Sequence, residues 1–84
     1  MFYSDPCPKG YKQVEGNEPG WGSYLGKQLK LTRQECSEAC NEKYACMSFE
    51  HSDSEMFCNL NAVSKPSSGA YRDYVFCQKT GNTF

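Results

Sequence analysis

The sequence lacks long hydrophobic runs and a surplus of charge of one sign. No stretch reaches the roughly 18 apolar residues that a membrane-spanning helix needs, and the mean hydropathy is -0.76. No basic amphipathic stretch could lie along a bilayer. Nine Lys and Arg residues against ten Asp and Glu residues leave a net charge of -1, which gives no strong attraction to phosphate backbones. We therefore expect neither a nucleic-acid partner nor membrane insertion.

The chain is also short of material for an interior. Its 84 residues make one domain, and 38% hydrophobic residues are few for an unaided core. Six cysteines are present, and an even count in a chain this short indicates disulfides, which persist outside the cell. The N-terminus has no secretion signal. We expect a secreted or extracellular domain, cut from a longer ectodomain, from which the signal has been removed.

Catalytic and metal-binding patterns are missing as well. A catalytic triad needs a base beside a nucleophile, and His51 is the one histidine of the chain. The cysteine spacings do not fit zinc, and Glu50, Asp53 and Glu55 lack the spacing of a calcium loop, which indicates a solvated turn. The sequence therefore predicts no enzyme activity, no cofactor and no metal. His51 is predicted to be a partly exposed hairpin residue, with ligand contact as its alternative role.

A capping box fixes the start of one helix. In Thr32-Arg33-Gln34-Glu35, the Thr32 hydroxyl can accept from the Glu35 amide while the Glu35 side chain reaches back to Thr32. The pattern predicts a helix from Arg33 to about Lys43. Residues three and four apart share a helix face, so the inner face is predicted to hold Cys36, Ala39, Cys40 and either Lys43 or Tyr44.

The remaining segments alternate polar and apolar residues in the manner of strands. A hairpin is predicted from 47–51 and 56–60, where a polar turn separates two alternating runs. The loop at 64–69 and a tail at 78–84 are predicted to be irregular. The other predicted strands are 10–14, 25–31 and 71–77.

Six cysteines allow fifteen complete pairings, and their spacing alone does not choose among them. Cys36 and Cys40 lie one turn apart on the same helix face, which disfavours a bridge between them. Cys46 is the nearest candidate partner for Cys40, and Cys58 can reach Cys36 from the hairpin. Cys7 and Cys77 then remain as the third candidate pair, which would join the two ends of the chain.

These motifs together resemble the PAN/apple domain over almost the whole chain. The resemblance is carried by Cys36-x3-Cys40-x5-Cys46, Ser48-Phe49-Glu50, Cys58-Asn59-Leu60, and the outer Cys7 and Tyr74-Val75-Phe76-Cys77. It implies a small disulfide-rich α+β domain with a core of about 7–77, in which one helix is fixed to an antiparallel sheet. It also implies nested bridges Cys36–Cys58 and Cys40–Cys46, with Cys7–Cys77 as the outer bridge of the apple subgroup.

The resemblance further implies an extracellular, non-catalytic binding or adhesion module for a protein or a carbohydrate, since the family contacts proteins and glycans and has no general catalytic residue. Because one fold serves several partners, it does not identify the ligand. Two alternatives stay open: a structural module that self-associates within a larger protein as a homo-oligomer, and a small secreted inhibitor.

Aromatic residues mark the candidate binding surfaces, because their flat faces stack on sugars and anchor interfaces. One patch contains Trp21 and Tyr24, and the other is the run Tyr71-Arg72-Asp73-Tyr74. The alternative for both patches is packing over the sheet. A third group of three cations could meet sulfated glycans, but neighbouring glutamates would repel sulfate; these cations are Lys27, Lys30 and Arg33.

Overall fold

The computed structural model of the protein describes residues 5–18 and 25–80. It shows the predicted α+β domain, with one helix and an antiparallel sheet of five strands in the order β1-β5-β3-β4-β2. The elements along the chain are β1 (Tyr11–Val14), β2 (Leu29–Lys30), α1 (Arg33–Asn41), β3 (Ser48–Ser52), β4 (Phe57–Asn61) and β5 (Tyr74–Lys79).

The predicted capping box begins α1. The Glu35 amide donates to the Thr32 hydroxyl at 3.1 Å, and the Thr32 amide donates to the Glu35 carboxylate at 2.9 Å. These two bonds satisfy backbone donors that the first turn of a helix leaves without partners.

The helix ends at Asn41, earlier than predicted. The Lys43 amide donates to the Cys40 carbonyl at 3.1 Å, so the chain already turns there. This turn brings Cys46 back to Cys40 and directs Tyr44 into solvent, where it is 101% exposed. Tyr44 is therefore not part of the inner face, whereas Cys36 and Cys40 are fully buried on it.

The predicted hairpin is confirmed as β3 and β4, which pair in antiparallel register from Ser48 opposite Asn61 to Ser52 opposite Phe57. The strand predicted at 25–31 is reduced to β2, since Gly26 has a φ of +97° and turns the chain. The last strand begins at Tyr74, three residues later than predicted, and continues to Lys79, into the predicted tail.

Three disulfides hold these elements, and their pairing is the one that the family resemblance implies. Cys36–Cys58 joins α1 to β4, Cys40–Cys46 closes the turn after α1, and Cys7–Cys77 joins the N-terminal segment to β5. Among the described residues ten hydrophobic side chains are buried, and six of them are these half-cystines. Sulfur thus provides much of the interior between helix and sheet.

Candidate ligand groove

The two faces of the sheet have different surroundings. Side chains alternate between faces along a strand, and the Cys36–Cys58 bridge identifies the face that α1 covers. The opposite face, here called the helix-free face, carries polar side chains of β3 and β4 that are nonetheless buried. They are Ser48, Glu50, Ser52, Asn59 and Asn61.

A groove of about 360 Å³ lies along the helix-free face, where β1 and β5 meet. Val14 and Phe76 are register partners in its floor. Beyond β1 the chain continues to Asn17, whose amide and carbonyl both bond to Ser68 at 2.9 and 3.0 Å. The groove is therefore built from two stretches of chain, lined by Gln13, Val14, Glu15, Gly16, Ala70, Tyr74 and Phe76.

The second predicted patch adjoins this groove. Tyr74 lines the groove, its ring centroid lies 6.1 Å from that of Tyr71, and the Arg72 guanidinium lies 5.2 Å from the Tyr71 ring. Tyr71 is 48% exposed. Arg72 has a backbone φ of +51°. Residues other than glycine rarely adopt this left-handed conformation, and where they do it is often at a functional site. The fold thus brings Tyr71, Arg72 and Tyr74 together beside the cavity.

Asp73 has a different environment from its neighbours. Its carboxylate accepts from the Ser52 hydroxyl at 2.8 Å and from the Ser54 amide at 2.8 Å. The Ser54 amide, followed by the Ser52 hydroxyl, lowers the pKa of Asp73 to about 2. Asp73 therefore fixes the 71–74 turn to the β3–β4 hairpin, and its oxygens are already engaged.

Of the other predicted surfaces, the structure describes only the group of three cations. Trp21 and Tyr24 lie outside the described residues. Two of the three cations have partners: Lys30 donates to the Glu55 carbonyl at 3.0 Å, and Arg33 pairs with Asp53. Because Lys30 and Arg33 already contact groups of the protein, they are less available to a sulfated glycan.

The prediction that His51 is partly exposed is wrong. His51 is 1% exposed, with Nε2 2.7 Å from the Leu31 carbonyl and Nδ1 2.9 Å from the Asp53 carboxylate. Its position in β3 directs the ring to the face that α1 covers, because Cys58 is its register partner. The ring links the strand to the chain before α1 and does not reach the groove.

Glu50 is a second residue whose predicted environment is wrong. It is not part of a solvated turn: it lies in β3, is 1% exposed, and accepts a hydrogen bond from the Glu18 amide. Burial raises its pKa to about 7, although the hydrogen bond from the Glu18 amide acts in the opposite direction. No local pattern signalled this burial, because an antiparallel sheet commonly leaves one face to water.

The comparisons with known proteins agree with this architecture. No helix in 5–18 or 25–80 is long and apolar enough to cross a membrane. No curated protein and no solved structure matches the chain significantly. The PAN domain family model matches residues 11–81, which is most of the chain. The chain therefore belongs to the PAN domain family.

Proposed function

We propose that this domain is a non-catalytic module of an extracellular protein and that its ligand is a carbohydrate bound in the groove of the helix-free face. PAN domains generally bind proteins or carbohydrates in extracellular proteins, and they are known as binding modules and not as enzymes. The observation that carries the proposal is the position of Tyr74, which belongs both to the groove lining and to the aromatic turn at 71–74.

The chemistry of the lining favours a sugar. Ligand sites range over roughly 300–1,000 Å³, so a groove of about 360 Å³ suits a small unit of a larger ligand. Tyr74 can stack on the apolar face of a sugar ring, while the carboxylate of Glu15 can accept hydrogen bonds from its hydroxyls. A protein loop that inserts a polar side chain is the competing ligand.

Self-association through the sheet edge is less well supported. The edge strand β1 could pair with a second copy through its outward backbone donors and its outward carbonyl acceptors. Two of those donors are occupied, since the Gln13 amide donates to the Asp5 carboxylate at 3.1 Å and the Tyr11 amide donates to the Pro8 carbonyl at 3.0 Å. Occupied donors protect the edge from addition of another strand.

A glycan array probed with the oxidised domain tests the proposal. We expect binding to a restricted set of oligosaccharides. Tyr74→Ala or Tyr71→Ala should lower the affinity at least tenfold, because a single stacked ring contributes about 1.4 kcal/mol. Tyr44→Ala should leave the affinity unchanged. Tyr44 is the matched control because it is a fully exposed tyrosine outside the groove.

Analytical ultracentrifugation of the same samples separates the alternatives. A monomer that binds sugars supports the proposal. Concentration-dependent dimers without sugar binding would favour the assembly module, and a monomer that binds no glycan would favour a protein ligand or an inhibitor. Equal losses for Tyr44→Ala and Tyr74→Ala would remove the groove as the site.

A further inference from the structure

Glu50 has an environment that a merely structural carboxyl group does not need. It lies in the middle of β3 with Asn59 and Phe76 as register partners, and it is almost completely buried. Its Oε1 atom makes no hydrogen bond. Buried polar atoms are nearly always bonded, because a lost bond to water is otherwise not replaced. This oxygen therefore calls for a reason other than packing.

The other oxygen of Glu50 holds the wall of the groove. Oε2 accepts from the Glu18 amide, and Glu18 ends the 15–18 segment that begins with the groove residues Glu15 and Gly16. This segment has little freedom on its far side. A Cβ added to Gly16 would lie 2.6 Å from Pro66 Cγ, and Gly16 has a φ of +139°. The Glu50 contact thus ties the 15–18 segment to the central strand, and the two backbone bonds of Asn17 tie it to Ser68.

The groups that face Glu50 do not compensate a negative charge. The 15–18 segment contributes the carboxyl group of Glu18, β5 contributes the phenol of Tyr74, and β4 contributes the uncharged Asn59. The helix packs on the opposite face of the sheet. The ion pairs found within 5–18 and 25–80 join Asp53 to Arg33 and to His51, and none includes Glu50.

Protonation and burial of Glu50 are consequently linked. Burial raises the pKa of Glu50 from 4.5 to about 7, against the opposing effect of the hydrogen bond from the Glu18 amide. The closed form binds the proton more tightly than an open, hydrated form with an ordinary pKa. As pH rises from 4.5 to 7, the equilibrium between the forms therefore shifts toward the open one by up to about 80-fold, and it levels off above pH 7.

We propose that Glu50 is a proton-dependent latch on the groove: the neutral carboxyl group keeps the 15–18 segment against the sheet, and loss of its proton to solvent draws in water and releases that segment. If the groove is the ligand site, as proposed above, the domain holds its ligand most tightly in acidic surroundings and releases it toward neutral pH. The groove residues nearest to this contact along the chain are Glu15 and Gly16, which line the groove together with Tyr74.

Amide hydrogen exchange by NMR tests the latch without any ligand. After correction for intrinsic exchange, the Glu18 amide of the oxidised domain should exchange up to about 80-fold faster at pH 7 than at pH 4.5. In the Glu50→Gln variant, the corrected exchange rate of the Glu18 amide should be independent of pH. Glu15→Gln, which removes an exposed carboxylate of the same segment, should keep the pH dependence.

Further outcomes decide the inference. Gly16→Ala should expose the Glu18 amide at every pH, because its Cβ would collide with Pro66. A pH-independent Glu18 amide in the unmodified domain, or a pH dependence that survives in Glu50→Gln, would overturn the latch. If sugar binds in the groove and its affinity does not change from pH 4.5 to 7, the latch is overturned and the proposed function stands. If the exchange of the Glu18 amide depends on pH but the domain binds no sugar, the latch stands and the proposed function is overturned.

Discussion

Removal of the bridge between Cys36 and Cys58 should destabilise the domain more than removal of the shorter bridge. The double substitution Cys36→Ala with Cys58→Ala cuts the one covalent link between α1 and β4. The matched variant, Cys40→Ala with Cys46→Ala, removes a bridge from the same helix. Both pairs are fully buried, so each variant loses a similar amount of buried sulfur.

The expected magnitudes follow from the loops that the bridges close. A sequence separation of 22 for Cys36–Cys58 corresponds to about 3.4 kcal/mol of lost unfolded-state entropy, and a separation of 6 for Cys40–Cys46 to about 2.3 kcal/mol. Small domains have only about 5–15 kcal/mol of unfolding free energy. Loss of the longer bridge should therefore remove a large share of the stability.

Urea denaturation followed by circular dichroism at constant pH measures both losses. We expect the urea midpoint to fall further for the Cys36/Cys58 variant than for the Cys40/Cys46 variant, by the equivalent of about 1 kcal/mol. A loss below about 1 kcal/mol for the longer bridge would refute the reasoning. It would mean that buried side chains such as Phe49 and Leu60 hold the helix on the sheet without sulfur.

Three other substitutions have effects of known sign. Because the pKa of Glu50 is raised to about 7, the free energy of unfolding should fall by up to about 3 kcal/mol from pH 4.5 to 7. In Glu50→Gln the urea midpoint should change much less over the same pH range. An equal decline in the unmodified domain and in Glu50→Gln would contradict the assignment. His51→Ala should lower stability by about 3 kcal/mol in thermal denaturation, through a lost ring and two lost hydrogen bonds, and an unchanged melting temperature would contradict its burial. Arg72→Gly should raise stability by about 1 kcal/mol through relief of the left-handed conformation, yet weaken sugar binding; a lower melting temperature would contradict the strain.

Local signals account for the parts of the fold that the sequence predicts. The capping box at Thr32 is a four-residue pattern whose bonds form within the helix, so the helix start is predicted correctly. The hairpin is likewise local, because its two alternating runs are joined by a short polar turn. The disulfide pairing needed the family resemblance, since fifteen pairings fit the cysteine spacing.

Long-range packing accounts for what the sequence does not predict. Glu50 is buried because the 15–18 segment, more than thirty residues earlier in the chain, folds over the helix-free face. The start of β5 is displaced because Arg72 adopts a turn conformation that composition assigns to glycine. His51 is buried because the Leu31 carbonyl lies across from its ring. None of these contacts leaves a pattern in the neighbouring residues.

The most direct test of the groove is a ¹⁵N–¹H correlation spectrum of the oxidised domain at pH 4.5, titrated with methyl glycosides of the common neutral hexoses. The account predicts shifts confined to amides of 13–16 and 70–76, the two stretches that line the cavity. Shifts confined instead to α1 and the turn after it, or no shifts with any of these sugars, would contradict it.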